Sequence, residues 1–415
     1  MKNLPTTFTN KMKELLTAAD YNQFLQDSTK PPFRGIRVNT LKCTAHKIKQ
    51  NMNFVGEKTP FCDEGFYIPF ETANIGDEPF HHAGAFYVQE PSASSAAAVL
   101  DVKSGDKVLD LCAAPGGKST QLGAKLNGTG LLWSNEIVKN RANILLSNIE
   151  RMGIPNAVVS SCHPDILCTA LEGFFDKILV DAPCSGEGMF RKDNTAVAEW
   201  TPQHSIACGE RQFSILSSAA KALKYGGEIV YSTCTFSVEE NEKVISRFLS
   251  ENSDFEQVEI DVNFGRKAEN GAVRILPSDG GEGHFVAKLR KKGELISDFS
   301  PSRSGTEKFP ELNAAFDLYD ELFTERIFGE CFKKIGDKIL LLPNAALPSL
   351  NGLGVLRAGI LFGEIKKNRI EPCHSLFMAA SKENLRSCVD FSYDDNRLRS
   401  FYHGEEIMLD CAAKG

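Results

Sequence analysis

From about residue 80 to residue 292, short apolar runs alternate with amphipathic segments, and this alternation admits few folds. Strand-like Lys107–Leu111, Gly130–Asn135, Ala157–Ser161, Lys177–Asp181, Glu228–Ser232 and His284–Leu289 lie between helical stretches at Ser92–Leu100, Ser119–Leu126, Val138–Met152, Ile206–Lys221 and Val238–Leu249. The pattern predicts a doubly wound, Rossmann-like α/β sheet, mostly parallel. Such a sheet collects the carboxyl ends of its strands at one rim, where ligands bind. Ser237 and Glu240 have the spacing of a capping box for the last helix, whose Val244, Ile245, Phe248 and Leu249 share a face.

At 415 residues the chain exceeds what one core needs, so further domains are expected. Residues 1–75 show an amphipathic pattern over Asn10–Leu25, a Pro31-Pro32 break, an extended Arg37–Leu41 and another helix-like stretch, predicting a small α/β domain. Residues 76–292 form the sheet domain, the polar stretch 293–308 reads as a linker, and 309–415 predicts a separate β-rich domain. No run has the length of a membrane span or the character of a signal peptide, so a cytoplasmic protein is expected. The net charge is −7, yet residues 1–50 hold nine Lys/Arg against three Asp/Glu. That end is a candidate nucleic-acid surface, with a solvated helix face as the alternative. Twelve cysteines include no Cys-x-x-Cys pair and eight histidines show no zinc-finger spacing, so no metal site is signalled and reduced thiols are expected.

The turn after the first sheet strand sets the ligand class. Cys112, Ala113, Ala114, Pro115, Gly116, Gly117 and Lys118 lead into Ser119, and small residues there let a ligand approach the backbone. A phosphate-binding P-loop would need glycine where Cys112 stands, and the dinucleotide fingerprint is absent. Glu136, at the end of the second strand, is placed to meet ribose hydroxyls, although helix starts favour acids in any case. Turn and acid together favour S-adenosyl-L-methionine, which needs ribose contacts and no phosphate cradle.

Cys184, in Asp181-Ala182-Pro183-Cys184, and Cys234, in Ser232-Thr233-Cys234, follow the fourth and fifth strands. A lone intracellular cysteine is usually a small buried hydrophobe, but two at one rim suit thiol chemistry. Carbon 5 of a pyrimidine is a poor nucleophile. A thiolate adding at carbon 6 activates it, and a carboxyl group that hydrogen-bonds the ring stabilises the adduct. Asp181 is the candidate carboxyl, with helix capping as its alternative reading.

With these motifs the chain resembles the Sun/Fmu/RsmF group of RNA cytosine-C5 methyltransferases. Gly84–Ala93, Asp110–Thr120, Ser134-Asn135-Glu136, Asp181–Gly188 and Ser232–Thr235 are similar to the group's successive motifs, and Arg34–Lys42 to its N-terminal one. Residues around Leu356–Gly359 and Gly363–Pro372 resemble the PUA-like C-terminal domain of the RsmF subgroup. The resemblance implies a class I S-adenosylmethionine-dependent core with Cys234 as nucleophile, Cys184 in product release, and residues 112–118 and Glu136 on the cofactor. It further implies Asp181 between cofactor and cytosine. His163 stands where the group commonly has an acid for the adenine amino group, with Asp165 two residues on. The Cys234 thiolate is expected to be favoured by a helix N-terminus from Ser237 onward. Small-subunit ribosomal RNA is the implied substrate, with transfer RNA or large-subunit RNA as alternatives. A catalytically silent RNA-binding assembly factor and a P-loop-like nucleotidase are the rivals from other classes. A monomer with no membrane or metal partner is expected, with an RNA track joining the basic N-terminal end, residues 288–292 and Arg357–Arg369.

Overall fold

The computed structural model describes residues 4–72, 74–295, 306–367 and 369–409. Its centre is a twisted sheet of β1 (Lys107–Asp110), β2 (Leu131–Asn135), β3 (Ala157–Ser160), β4 (Phe175–Asp181), β5 (Leu223–Thr233) and β6 (His284–Lys291). Across the sheet the order is β6, β5, β4, β1, β2, β3, with β6 alone among the six antiparallel to its neighbour. Both faces are covered, so these strands read as nearly unbroken apolar runs rather than alternating ones. Successive side chains still part company: Leu109, Trp133, Ile178 and Ile229 enter one core, and Val108, Leu132, Leu179 and Val230 the other. The chain reverses direction across the sheet between β1 and β4, where a ligand crevice opens.

The N-terminal pattern over Asn10–Leu25 is two helices, Thr6–Leu15 and Ala18–Asp27, because the Thr17 hydroxyl accepts the Asp20 N–H and starts the second. Arg34–Val38 is the centre of a small antiparallel sheet between Gly65–Ile68 and Phe86–Gln89. The expected division at residue 75 therefore falls inside this unit. Asn39 ends the strand by donating its amide to the carbonyls of Gly84 and Met152, both at 2.8 Å.

Three further expectations are corrected. The helix placed at Val238–Leu249 begins at Glu242, since the Ser237 N–H goes to the Thr235 hydroxyl and the Glu240 carboxylate turns to Ser185, so no capping box forms. The C-terminal region is a β-rich unit with its own core, as expected, but it is not detached from the sheet domain. Its own four-stranded sheet (Phe332–Ile335, Lys338–Leu341, Ile360–Lys366, Arg369–Pro372) packs on helix Leu312–Leu322, yet Val355–Ala358 leaves it and pairs antiparallel with β3. The basic run 288–292 is no free track, because Lys288 and Arg290 both pair with Glu228 and Lys291 bonds the carbonyls of Ala220 and Leu223. Most of the expected 293–308 linker lies outside the described residues.

Candidate active site

Strands β4 and β5 run side by side in parallel register, Asp181 opposite Ser232, so the loops that leave them start as neighbours. Two hydrogen bonds keep them together: Ala182 N–H to Ser232 O, and Gly188 N–H to Cys234 O, each at 2.9 Å. Gly188 permits this approach, since a Cβ there would stand 2.9 Å from the Cys234 carbonyl. The outcome is a direct contact between the two thiols, Cys184 Sγ to Cys234 Sγ at 3.2 Å. The hydrogen bond to Cys234 and burial raise the Cys184 pKa well above the ordinary thiol value. Either sulfur can donate in this contact, and the raised Cys184 pKa favours Cys184 keeping its proton.

Asp181 closes β4 beside this pair. Its Oδ1 accepts the Ser232 hydroxyl at 2.7 Å and its Oδ2 accepts Lys118 Nζ at 2.7 Å. Burial alone would raise its pKa, but Lys118 and His284 outweigh burial and hold the carboxyl below the usual range. Lys118 is correspondingly raised, Asp181 overcoming the effect of its own burial.

The turn 112–118 leads from β1 into helix Gly117–Leu126. Gly116, at φ 117°, makes the bend that an L side chain would resist. Helix Lys139–Arg151 braces the turn from outside: Arg141 donates to Ala114 O at 3.0 Å and Asn148 to Pro115 O at 2.9 Å. Glu136 is buried. Its Oε1 accepts the Val138 N–H at 3.0 Å, while Oε2 meets only the half-exposed Arg141, at 3.3 Å. Burial, with Asp110, Asp181 and Glu136 nearby, drives the Cys112 thiol far up. This third strand-end cysteine is thus held as an unreactive thiol. His163 is exposed and starts helix Pro164–Ala170, its Nδ1 accepting the Asp165 N–H at 3.3 Å. Its neutral ring then carries the proton on Nε2 and has no lone pair left for an adenine amino group, while Asp165 pairs with Lys221.

Residues 97–290 match the 16S rRNA methyltransferase RsmB/F family, residues 4–91 the N-terminal domain of 16S rRNA methyltransferase RsmF, and residues 320–379 the RsmF first C-terminal domain. Ribosomal RNA small subunit methyltransferase F of Vibrio vulnificus is 33% identical, with 99% of this chain and 91% of that protein covered. The namesake of Vibrio campbellii is 32% identical over 97% of this chain and 88% of its own length. The chain belongs to the RsmF branch of the RsmB/F methyltransferase family. A methyltransferase homologue from Pyrococcus horikoshii superposes with a TM-score of 0.58 at 29% identity, covering 69% of this chain and all of that one. NSun6 from the same organism, solved with an S-adenosylmethionine analogue, gives 0.62 at 23% identity over 70% of this chain and 99% of that one, a likeness of fold.

As an RsmF-family protein this is an S-adenosylmethionine-dependent RNA methyltransferase directed at cytosine carbon 5 of ribosomal RNA. The residues present suit that cofactor: the carboxylates of Glu136 and Asp181 lie near the turn 112–118 and favour a cation, and the apolar Ile137 beside Glu136 stays 54% exposed, open to an aromatic ring. Among the described residues no group of three or more His, Cys, Asp or Glu is arranged to hold a metal, and no helix is long and apolar enough to cross a membrane.

Two residues serve the site in ways that their motifs, a capping-box spacing and the stretch Arg34–Lys42, do not announce. Glu240 binds Ser185 through its N–H at 2.9 Å and its hydroxyl at 2.5 Å, and takes Gln212 Nε2 at 3.0 Å, tying the two cysteine loops together. Arg37, from the small sheet, donates to Gly117 O and Thr120 Oγ1, both at 2.8 Å, and so docks that sheet on the cofactor turn. No sequence spacing relates these partners, so only folding reveals them.

Proposed function

We propose that the protein methylates carbon 5 of a cytidine in small-subunit ribosomal RNA, with Cys234 as the nucleophile and Cys184 as its proton partner. The observation that carries this reading is the 3.2 Å contact of the two thiols beside an Asp181 held ionised by Lys118. The cytidine enters unstacked, because carbons 5 and 6 are shielded inside a helix. Cys234 Sγ adds to carbon 6, and Asp181 accepts the exocyclic amino group and orients the ring. S-adenosylmethionine supplies the methyl group, held by residues 112–118 (Cys112, Ala113, Ala114, Pro115, Gly116, Gly117, Lys118) and by Glu136. His163 serves as a contact for the adenine, with Nε2 the ring nitrogen not taken by Asp165. After transfer the carbon-5 proton passes to a base, with Cys184 as the relay, and the electrons of that C–H bond form the carbon 5–carbon 6 double bond and expel Cys234 as a thiolate. The protein acts as a cytoplasmic monomer, on RNA within a small-subunit particle.

No helix N-terminus begins at Ser237, so activation of Cys234 falls to its contact with Cys184 and to the nearby Lys118 cation. Methyl transfer to small-subunit RNA by purified variants tests the reading. Cys234→Ala abolishes it. Cys184→Ala leaves RNA attached to protein on a denaturing gel, whereas such a band from Cys234→Ala overturns the assignment of the two thiols.

A further inference from the structure

His284 opens β6 against the end of β5, its neighbour Phe285 pairing with Thr233. The side chain is 3% exposed. Its Nδ1 lies 3.1 Å from the Gly283 carbonyl oxygen, which can only accept, so Nδ1 carries a proton. Nε2 is buried and has no partner within hydrogen-bond reach. A buried polar atom left unpaired is costly, so such an orphan calls for an explanation. The charged group it faces is Asp181 Oδ1, 3.9 Å away. That oxygen already accepts the Ser232 hydroxyl and has a second lone pair for another donor. On the other side, Oδ2 depends on Lys118, which sits in the first turn of the cofactor helix, where an entering ligand competes for its ammonium group. Once Lys118 turns to a ligand, the His284 ring, when protonated, is the cation left to Asp181 among the described residues.

We propose that His284 is a positioning residue for methyl transfer: as an imidazolium, with Nδ1–H on Gly283 O and the second proton on Nε2, it closes Nε2–H onto Asp181 Oδ1 when Lys118 engages the reactants and so fixes the carboxylate that receives the cytosine amino group. This rests on the role given above to Asp181. The gap is less than an ångström beyond a hydrogen bond, and the loop Gly280–Gly283 that carries His284 is tied to the small N-terminal sheet through the Tyr67 hydroxyl on Gly280 O, at 2.8 Å. A shift of that sheet on RNA therefore reaches the imidazole.

Three variants separate the two ring nitrogens. His284→Gln extends an amide about as far as Nε2, His284→Asn only as far as Nδ1, and His284→Phe keeps the ring without donors. Steady-state kinetics with the full-length protein and small-subunit RNA should show kcat about tenfold lower for His284→Phe, the worth of one charge-assisted hydrogen bond, with KM for RNA unchanged. Most of that loss is recovered in His284→Gln and not in His284→Asn. Wild-type kcat in His284→Phe, recovery by Asn, or equal losses in Gln and Asn overturn the proposal. Asp181→Ala serves as the control: if it stays active, the reading of Asp181 itself fails, whereas an inactive Asp181→Ala beside a fully active His284→Phe sinks only the role of the histidine.

Discussion

Glu240 Oε2 accepts the backbone N–H of Ser185 at 2.9 Å, so a carboxylate from beyond one cysteine loop fixes the residue next to the other cysteine. The Ser185 hydroxyl and Gln212 Nε2 converge on the same group, all of it buried. Glu240→Ala leaves these donors unpaired in the core and should cost about 3 kcal/mol of stability by thermal denaturation. Methyl transfer should fall further than cofactor affinity, because the thiols lose their register while the turn 112–118 is untouched. A variant with an unchanged melting temperature and rate would show that the two loops hold each other without this carboxylate.

Asp110 gives the stability a pH dependence. It is fully buried beneath the cofactor turn, with Oδ2 taking the Ser119 hydroxyl at 2.6 Å and Oδ1 unpartnered. Burial, partly offset by Ser119, lifts its pKa to about 7. An unfolded Asp loses its proton near 3.9, so between those values the folded state keeps a proton that the unfolded state gives up. This contribution therefore falls as pH rises through the window and stays low above about 7. Glu187, lifted by burial to about 7, acts in the same sense. His81, pushed down by burial to about 4, acts in the opposite sense over part of the window. The single substitution Asp110→Asn isolates one term: relative to wild type it should gain stability at pH 8 over pH 5, read from melting temperatures at both. An equal offset at the two pH values would refute it.

How much of this was legible in the sequence depends on distance along the chain. The strand runs ending at Asp110, Asn135, Ser160 and Asp181 were read to within a residue or two at those ends, because a buried parallel strand is locally written as an apolar run closed by turn residues. The position of Cys184 and Cys234 at neighbouring strand ends followed from that alternation. Glu240 misled: Ser-x-x-Glu spacing announces a cap, but the carboxylate is taken by Ser185 and Gln212, contacts that no local pattern encodes. Lys288 and Arg290 looked like a free RNA track, but both lean on Glu228, distant in sequence, across β5 and β6. Val355–Ala358, a strand added to the main sheet from the far end of the chain, was invisible for the same reason.

Arg37 predicts a link between the small sheet and the cofactor. Its guanidinium is buried and bonds Gly117 O, Thr120 Oγ1 and, at 3.3 Å, Gln89 Oε1, and burial lowers its pKa to about 10. Arg37→Met keeps the stem and removes the fork, leaving the first carbonyl of the cofactor helix with the longer Thr120 hydroxyl bond, at 3.2 Å, and without the guanidinium. Calorimetry should show S-adenosylmethionine binding about tenfold weaker, with Arg37→Lys intermediate because an ammonium cannot reproduce the planar geometry. Unaltered affinity in Arg37→Met would mean the turn is rigid without this dock.

The contact between Cys184 Sγ and Cys234 Sγ makes the site sensitive to oxidants. At 3.2 Å the sulfurs need only small side-chain rotations to bond, and both residues are partly open to solvent. Hydrogen peroxide takes two electrons from the pair. One thiol is first oxidised to the sulfenic acid, the other displaces water from it, and two waters leave as the disulfide forms. Because the partner sulfur is already in contact, closure should outrun further oxidation. The wild-type protein treated with peroxide should lose methyl transfer, show the Cys184 and Cys234 peptides joined by mass spectrometry without reduction, and regain activity with dithiothreitol. In Cys184→Ala there is no resolving sulfur, and Cys234 should proceed to sulfinic acid, which dithiothreitol does not reverse. If wild-type Cys234 instead accumulates as sulfinic acid at the rate seen in Cys184→Ala, the two thiols are not close enough in solution to protect one another.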